Sequence, residues 1–147
     1  MPLPHDNSLF NRVKKNFDRQ GLMHHLGVEL LDVKPGEVTL RMPFNQQLTQ
    51  QHGYFHAGGT SAMADSAGGY AGYTLMPDGA GVLTVEFKIN LMAPAQGEYL
   101  EAIGRVIRSG RTLTITQVDV FAIEQAQRTH IALMQQTLIA IPNKEGY

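Results

Sequence analysis

The chain has 147 residues, with 12 Lys plus Arg against 13 Asp plus Glu and no cysteine. That length suits one domain over 1–147 and buries a full core without disulfides or metal staples. A net charge of −1 offers no basic excess to nucleic acid, and the missing thiols exclude disulfides, thiolate zinc sites and cysteine nucleophiles. Charged residues make up 17%, below the usual ~25%, and the 15 glycines exceed the usual share of about 7%. A chain this poor in charge and rich in glycine leans toward hiding surface in an oligomer. Met1-Pro2-Leu3-Pro4-His5-Asp6 has no cationic start before an apolar run, so no signal peptide and a cytoplasmic location are expected.

Pro2 and Pro4 make residues 1–7 a loose lead-in. From Ser8, a candidate N-cap, to His25 the pattern is helical, with Leu9, Phe10, Val13, Phe17 and Met23 near one face. A hairpin follows: Val28, Leu30 and Val33 in its first strand, Val38, Leu40 and Met42 in its second, and Lys34-Pro35-Gly36-Glu37 as the turn. Pro43 to Phe55 is a long polar loop, and such loops are more often functional than idle.

Ala57 to Met76 is rich in Gly, Ala, Ser and Thr. A membrane span is rejected, because these residues give little transfer energy and a central Asp65 costs about 2.5–3.5 kcal/mol. A strand is rejected for want of β-branched residues and a period of two. A helix remains, although each glycine costs about 1 kcal/mol relative to Ala. Gly68 and Gly72 lie one turn apart, where small residues admit another backbone. Apart from Asp65 the segment carries no charge, so it reads as a buried central helix with a sheet curled around it.

Leu83, Val85, Phe87, Ile89 and Leu91 then alternate with Thr84, Glu86, Lys88 and Asn90. A turn over 93–97 leads to strands near 98–108, 112–123 and 129–141, with connections short enough to imply antiparallel neighbours. The fold class is α+β: helix, hairpin, long buried helix, then about four long antiparallel strands.

No nucleophile elbow, phosphate loop or zinc helix is present. The six histidines (5, 24, 25, 52, 56 and 130) form no ligand set, so no metal and no cofactor are expected. Asp65 reads either as a buried base or nucleophile or as a helix aspartate that reaches water. Asp is poor in a helix interior, and Met63, Ala64, Ser66 and Ala67 supply no counter-ion, which favours function. His56-Ala57-Gly58-Gly59 is either a set of free N–H groups at a positive dipole end, ready for an oxyanion, or a plain helix start. His56 is equally open between a catalytic and a hydrogen-bonded structural role. Arg105, Arg108 and Arg111 cluster around a hairpin tip, where they either hold substrate phosphates or form a solvated charged turn, the second slightly favoured by sequence alone. Phe55, Tyr70, Tyr73 and Met92 either line an acyl or aryl pocket or, as is commoner, belong to the core.

Three strings carry a resemblance. They are Gln50-x-x-Gly53-x-x-His56-Ala57-Gly58 with Met63 to Ala71 (Met-Ala-Asp-Ser-Ala-Gly-Gly-Tyr-Ala), then Val82 to Ala95, and Gly104 to Leu113. Together they resemble the hotdog-fold thioesterases of the PaaI-like, phenylacetate-degradation type, over about Gly27 to Ile141. The resemblance implies a curled antiparallel sheet around a long central helix and hydrolysis of acyl-CoA thioesters without a cofactor. It matches Asp65 to the carboxylate that activates water or attacks the carbonyl, and the Ala57 N–H to the oxyanion hole. It matches Thr84 to a residue holding the water or the acid, and Gln50 to an upstream amide. Gln stands where Asn is usual, leaving Gln50 and Gln51 as alternatives. Ala57 stands where Gly is usual and keeps the N–H.

Asp65 lies nine residues beyond His56. That is roughly 13 Å along a helix and half a turn round it. The two therefore meet at one carbonyl only across two chains, in a homodimer or a dimer of dimers with shared sites. The rival readings are an acyl-thioester hydratase or dehydratase using His56, and a non-catalytic acyl-CoA-binding module. Neither nucleic acid nor a membrane is an expected partner.

Overall fold

The computed structural model describes residues 7–142. The lead-in expected over 1–7 lies outside the described residues except for Asn7, which precedes α1 (Ser8–Phe17) as its N-cap in place of Ser8 and makes no side-chain cap bond. The single N-terminal helix is in fact two, because the chain turns at 18–20 before α2 (Gly21–His25). In one unbroken helix Met23 would sit about 120° from Phe17. The turn re-aims Met23 so that Val13, Phe17 and Met23 all enter the core.

The hairpin of β1 (Glu29–Lys34) and β2 (Glu37–Pro43) forms as expected. Gly36 takes φ +76° in the turn, where a Cβ would be strained. Val38, Leu40 and Met42 are fully buried, and a bulge between Leu30 and Asp32 leaves Leu31 exposed.

Helix α3 (Ala57–Tyr73) runs under a six-stranded sheet completed by β3 (Gly81–Leu91), β4 (Tyr99–Ser109), β5 (Leu113–Glu124) and β6 (Gln127–Ile141). Close contact with the sheet explains Gly72 of this helix and Gly104 opposite it. A Cβ on Gly72 would run into Leu138, and one on Gly104 of β4 would run into the Ala67 carbonyl, so helix and sheet backbones touch. This is the hotdog arrangement, a curled antiparallel sheet around a central helix.

The strand order is β1-β2-β4-β5-β6-β3. β4, β5 and β6 are sequential antiparallel neighbours as expected. β3 is not beside β4. It pairs with β6, and the 93–97 connection carries the chain from the sheet's edge back to its middle. The uninterrupted alternation expected in β3 is also corrected. Thr84 pairs with Leu138 and Glu86 with Thr137, so Val85 is a bulge. Beyond it the faces exchange, and Thr84 shares the inner face with Phe87, Ile89 and Leu91.

Candidate active site

Asp65 sits mid-way along α3, half-buried, at the wall of a cavity of about 150 Å³. The Thr84 hydroxyl donates to its Oδ1 at 2.6 Å. The bulge at Val85 makes this possible by turning Thr84 inward. Gln20 and Tyr70 line the same cavity. Gln20 Nε2 donates to the Tyr70 hydroxyl at 2.9 Å, and that hydroxyl donates to Asn16 Oδ1 at 2.9 Å. Burial pushes the Tyr70 hydroxyl above its ordinary pKa, which keeps it a donor. The break between α1 and α2 puts Gln20 within 3.3 Å of the Ser66 hydroxyl.

The start of α3 borders a separate cavity of about 300 Å³, lined by Gln50, Gln51, Phe55, His56, Ala57 and Leu91 among others. The two cavities share no lining residue. His56 is the N-cap, and its Nδ1 accepts from Gly58 N–H at 2.7 Å. Gly59 and Thr60 N–H groups donate to the His56 carbonyl. The expected run of free N–H groups is thereby corrected to one. Gly58 is committed to the cap, and among the described residues only Ala57 N–H in this first turn lacks a partner. A neutral His56 whose Nδ1 accepts must carry its proton on Nε2, so it faces outward as a donor.

The structure brings Asp65, Thr84 and Tyr70 together in one cavity, and Gln50, Phe55, His56 and Ala57 in the other. Gln50 Oε1 accepts from the His52 and Tyr54 N–H groups, so its amide is held by its own loop, whereas Gln51 is exposed. Phe55 packs edge-on to Phe44. Tyr73 is buried beneath the Arg12 guanidinium and borders neither cavity. Met92 is exposed just past β3.

Arg105 is not at a hairpin tip. It lies mid-strand in β4 and pairs with Glu37 at 3.1 Å and Asp119 at 3.4 Å, so opposite charge on neighbouring strands already occupies it. Arg108 and Arg111 are exposed at the β4–β5 end. Among the described residues no group of three or more His, Asp or Glu is gathered to hold a metal. No helix there is long and apolar enough to cross a membrane.

Sequence reasoning missed Gln136, which donates to both Asp65 and Thr84. The signal was there. Ala132, Met134, Leu138 and Ala140 alternate along the last strand, and Gln136 interrupts that apolar row.

The thioesterase superfamily pattern matches residues 52–128. Human acyl-coenzyme A thioesterase 13 is 31% identical over 107 residues, covering 71% of this chain and 72% of that protein. The chain belongs to the thioesterase superfamily. A thioesterase family protein from Silicibacter pomeroyi superposes with a TM-score of 0.89 at 42% identity, covering 91% of this chain and 98% of that one. The E. coli PaaI protein shares the fold, with a TM-score of 0.83 at 18% identity over 95% of this chain and 98% of that one. This thioesterase-superfamily chain thus has the hotdog fold that its motifs implied.

Proposed function

We propose that the protein hydrolyses acyl-CoA thioesters to free acid and CoA. In this reading Asp65 is the base or nucleophile and the Ala57 N–H is the oxyanion donor. The observation that carries it is the state of Asp65. Oδ1 is held by Thr84, while Oδ2 accepts no hydrogen bond among the described residues and is left to act. Ala57 N–H adds the positive end of α3 and lies where a developing oxyanion gains most. His56 presents a donor rather than a free basic nitrogen, which favours hydrolysis over His-driven hydration. The relative named as an acyl-coenzyme A thioesterase supports CoA as the thiol, and exposed Arg108 and Arg111 are suited to its phosphates.

The site is shared between two copies of the chain. Asp65 and Ala57 border different cavities in one chain. Strand β3 spans both, with Val82 and Thr84 at the carboxylate cavity and Leu91 at the donor cavity. Those ends are roughly 23 Å apart. β3 is also one of the two edge strands of the sheet, β1 being the other, and its inward-facing Phe87 and Leu91 are 44% and 55% exposed. Antiparallel pairing of two β3 strands about a two-fold axis near Phe87 sets the Asp65 end of each against the Ala57 end of the other. It also covers the exposed apolar side chains.

The test is an acyl-CoA panel assayed with a thiol-trapping reagent on purified protein. Release of free thiol supports the reading. A change in enoyl absorbance without thiol makes the protein a hydratase, and binding without turnover makes it an acyl-CoA-binding module.

A further inference from the structure

We infer that Gln136 is a positioning residue for the hydrolysis, fixing the Asp65 carboxylate so that Oδ2 is the reacting oxygen. This rests on the reading of Asp65 as the catalytic carboxylate, base or nucleophile. Gln136 lies on β6 and is 1% exposed, in the row otherwise filled by Met134 and Leu138. An amide there needs polar partners on every side. Its Nε2 lies 2.6 Å from Asp65 Oδ1, 3.0 Å from the Asp65 carbonyl and 3.2 Å from Thr84 Oγ1. Its Oε1 accepts from the Thr116 hydroxyl at 2.7 Å.

The chemistry fixes the direction of this chain. A carboxylate and a carbonyl only accept, so the amide must face Asp65 with its NH2 group. Oε1 then faces Thr116, and the buried Thr116 hydroxyl has to donate. Thr84 receives from Gln136 and passes its own proton toward Oδ1. Both donors therefore converge on Oδ1, and the carboxylate cannot rotate to exchange its oxygens without breaking two bonds. Gly68 makes the space. A Cβ there would collide with Gln136 Oε1 and Thr116 Oγ1. One glycine of the central helix is thus required by the clamp rather than by backbone packing.

The test compares Gln136→Met with wild type in a Thr116→Val background, so that no buried hydroxyl loses its acceptor. A merely structural role would lower the melting temperature and leave kcat alone. A positioning role lowers kcat roughly 10- to 100-fold, the size of one charge-assisted hydrogen bond, with KM within about threefold. In an Asp65→Asn background the same change should lower the residual rate no further, because its effect passes through that carboxylate. The inference is overturned if kcat stays within about threefold, or if the loss persists in the Asp65→Asn chain. Should Gln136→Met not fold, Gln136→Leu in the same Thr116→Val background removes both amide donors in a different apolar shape. It must lower kcat by the same order. Failure of the underlying reading looks different, because Asp65→Asn alone would then remain active.

Discussion

The two halves of the proposed site are built from different materials. At the carboxylate end, α3, β3, β5 and β6 each contribute a side chain to one hydrogen-bonded chain from Thr116 through Gln136 to Asp65 and Thr84. At the donor end a single backbone N–H stands at a helix start, and the nearest side chain, His56, serves as its cap. Geometry is stored in side chains at one end and in the backbone at the other. The first end therefore breaks under ordinary substitutions, whereas the second withstands them and fails only when the N–H itself is removed.

The largest effect is expected at the carboxylate end. Asp65→Asn keeps shape but loses the base, and kcat should fall roughly 10²–10⁴-fold with an unchanged circular dichroism spectrum. More than a third of wild-type turnover would sink the assignment. The donor end is probed by a pair of variants. Ala57→Gly keeps the N–H and should stay within a few-fold of wild type. Ala57→Pro removes it at the first helical position, where proline is tolerated, after a His56 whose φ of −68° and ψ of 138° suit a residue before proline. The expected loss is about 10²–10³-fold in kcat at a near-constant melting temperature. Equal activity of the two variants would show that the Ala57 N–H is not the donor.

Mixing the two lesions tests whether the ends belong to different chains. Asp65→Asn and Ala57→Pro chains, each nearly dead, are denatured together and refolded. Half the dimers are then mixed, each with one intact site, and activity rises to about a quarter of wild type. If native mass spectrometry shows mixed dimers and activity does not return, the shared site is wrong.

Smaller effects lie away from both ends. Arg108→Ala or Arg111→Ala should raise KM about fivefold with kcat kept, the size of an exposed ion pair. On a pantetheine thioester, which lacks the distal phosphates, the difference should vanish. The smallest effect concerns stability. Because folding raises the Tyr70 hydroxyl, its contribution is fully present below the unfolded value of about 10 and is lost as pH rises through the folded value. Denaturant titrations above pH 10 should therefore show a steeper fall for wild type than for Tyr70→Phe. Parallel curves would mean that Tyr70 takes no part.

Local pattern was enough for much of this protein. Val38, Leu40 and Met42 alternate into the core as period two requires, and the small-residue stripe of α3 does lie close against the sheet, although Gly68 and Gly72 face side chains and the backbone approach is made by Gly104. Asp65 stood out because an uncompensated charge in an otherwise uncharged helix needs a reason, whereas the His56-Ala57 helix start was legible only as two open readings, a run of free N–H groups or a plain start. These features depend on residues within a turn or two of each other. Tertiary structure alone decided the rest. The Val85 bulge, which turns Thr84 toward Asp65, arises from pairing with Leu138 and Thr137 of β6, partners that lie 54 residues beyond Thr84 and 51 beyond Glu86. The same long-range pairing put β3 on an open edge rather than beside β4. Arg105 lost its place at the tip to Glu37 and Asp119 on adjacent strands, and Gly58 N–H was taken by a side-chain rotamer of His56. Gln136 became part of the site only because β6 passes over Asp65, 71 residues earlier in the chain. Sequence periodicity assigns a residue to a face, but the partner across that face is set by strand order and register, which involve the whole chain at once.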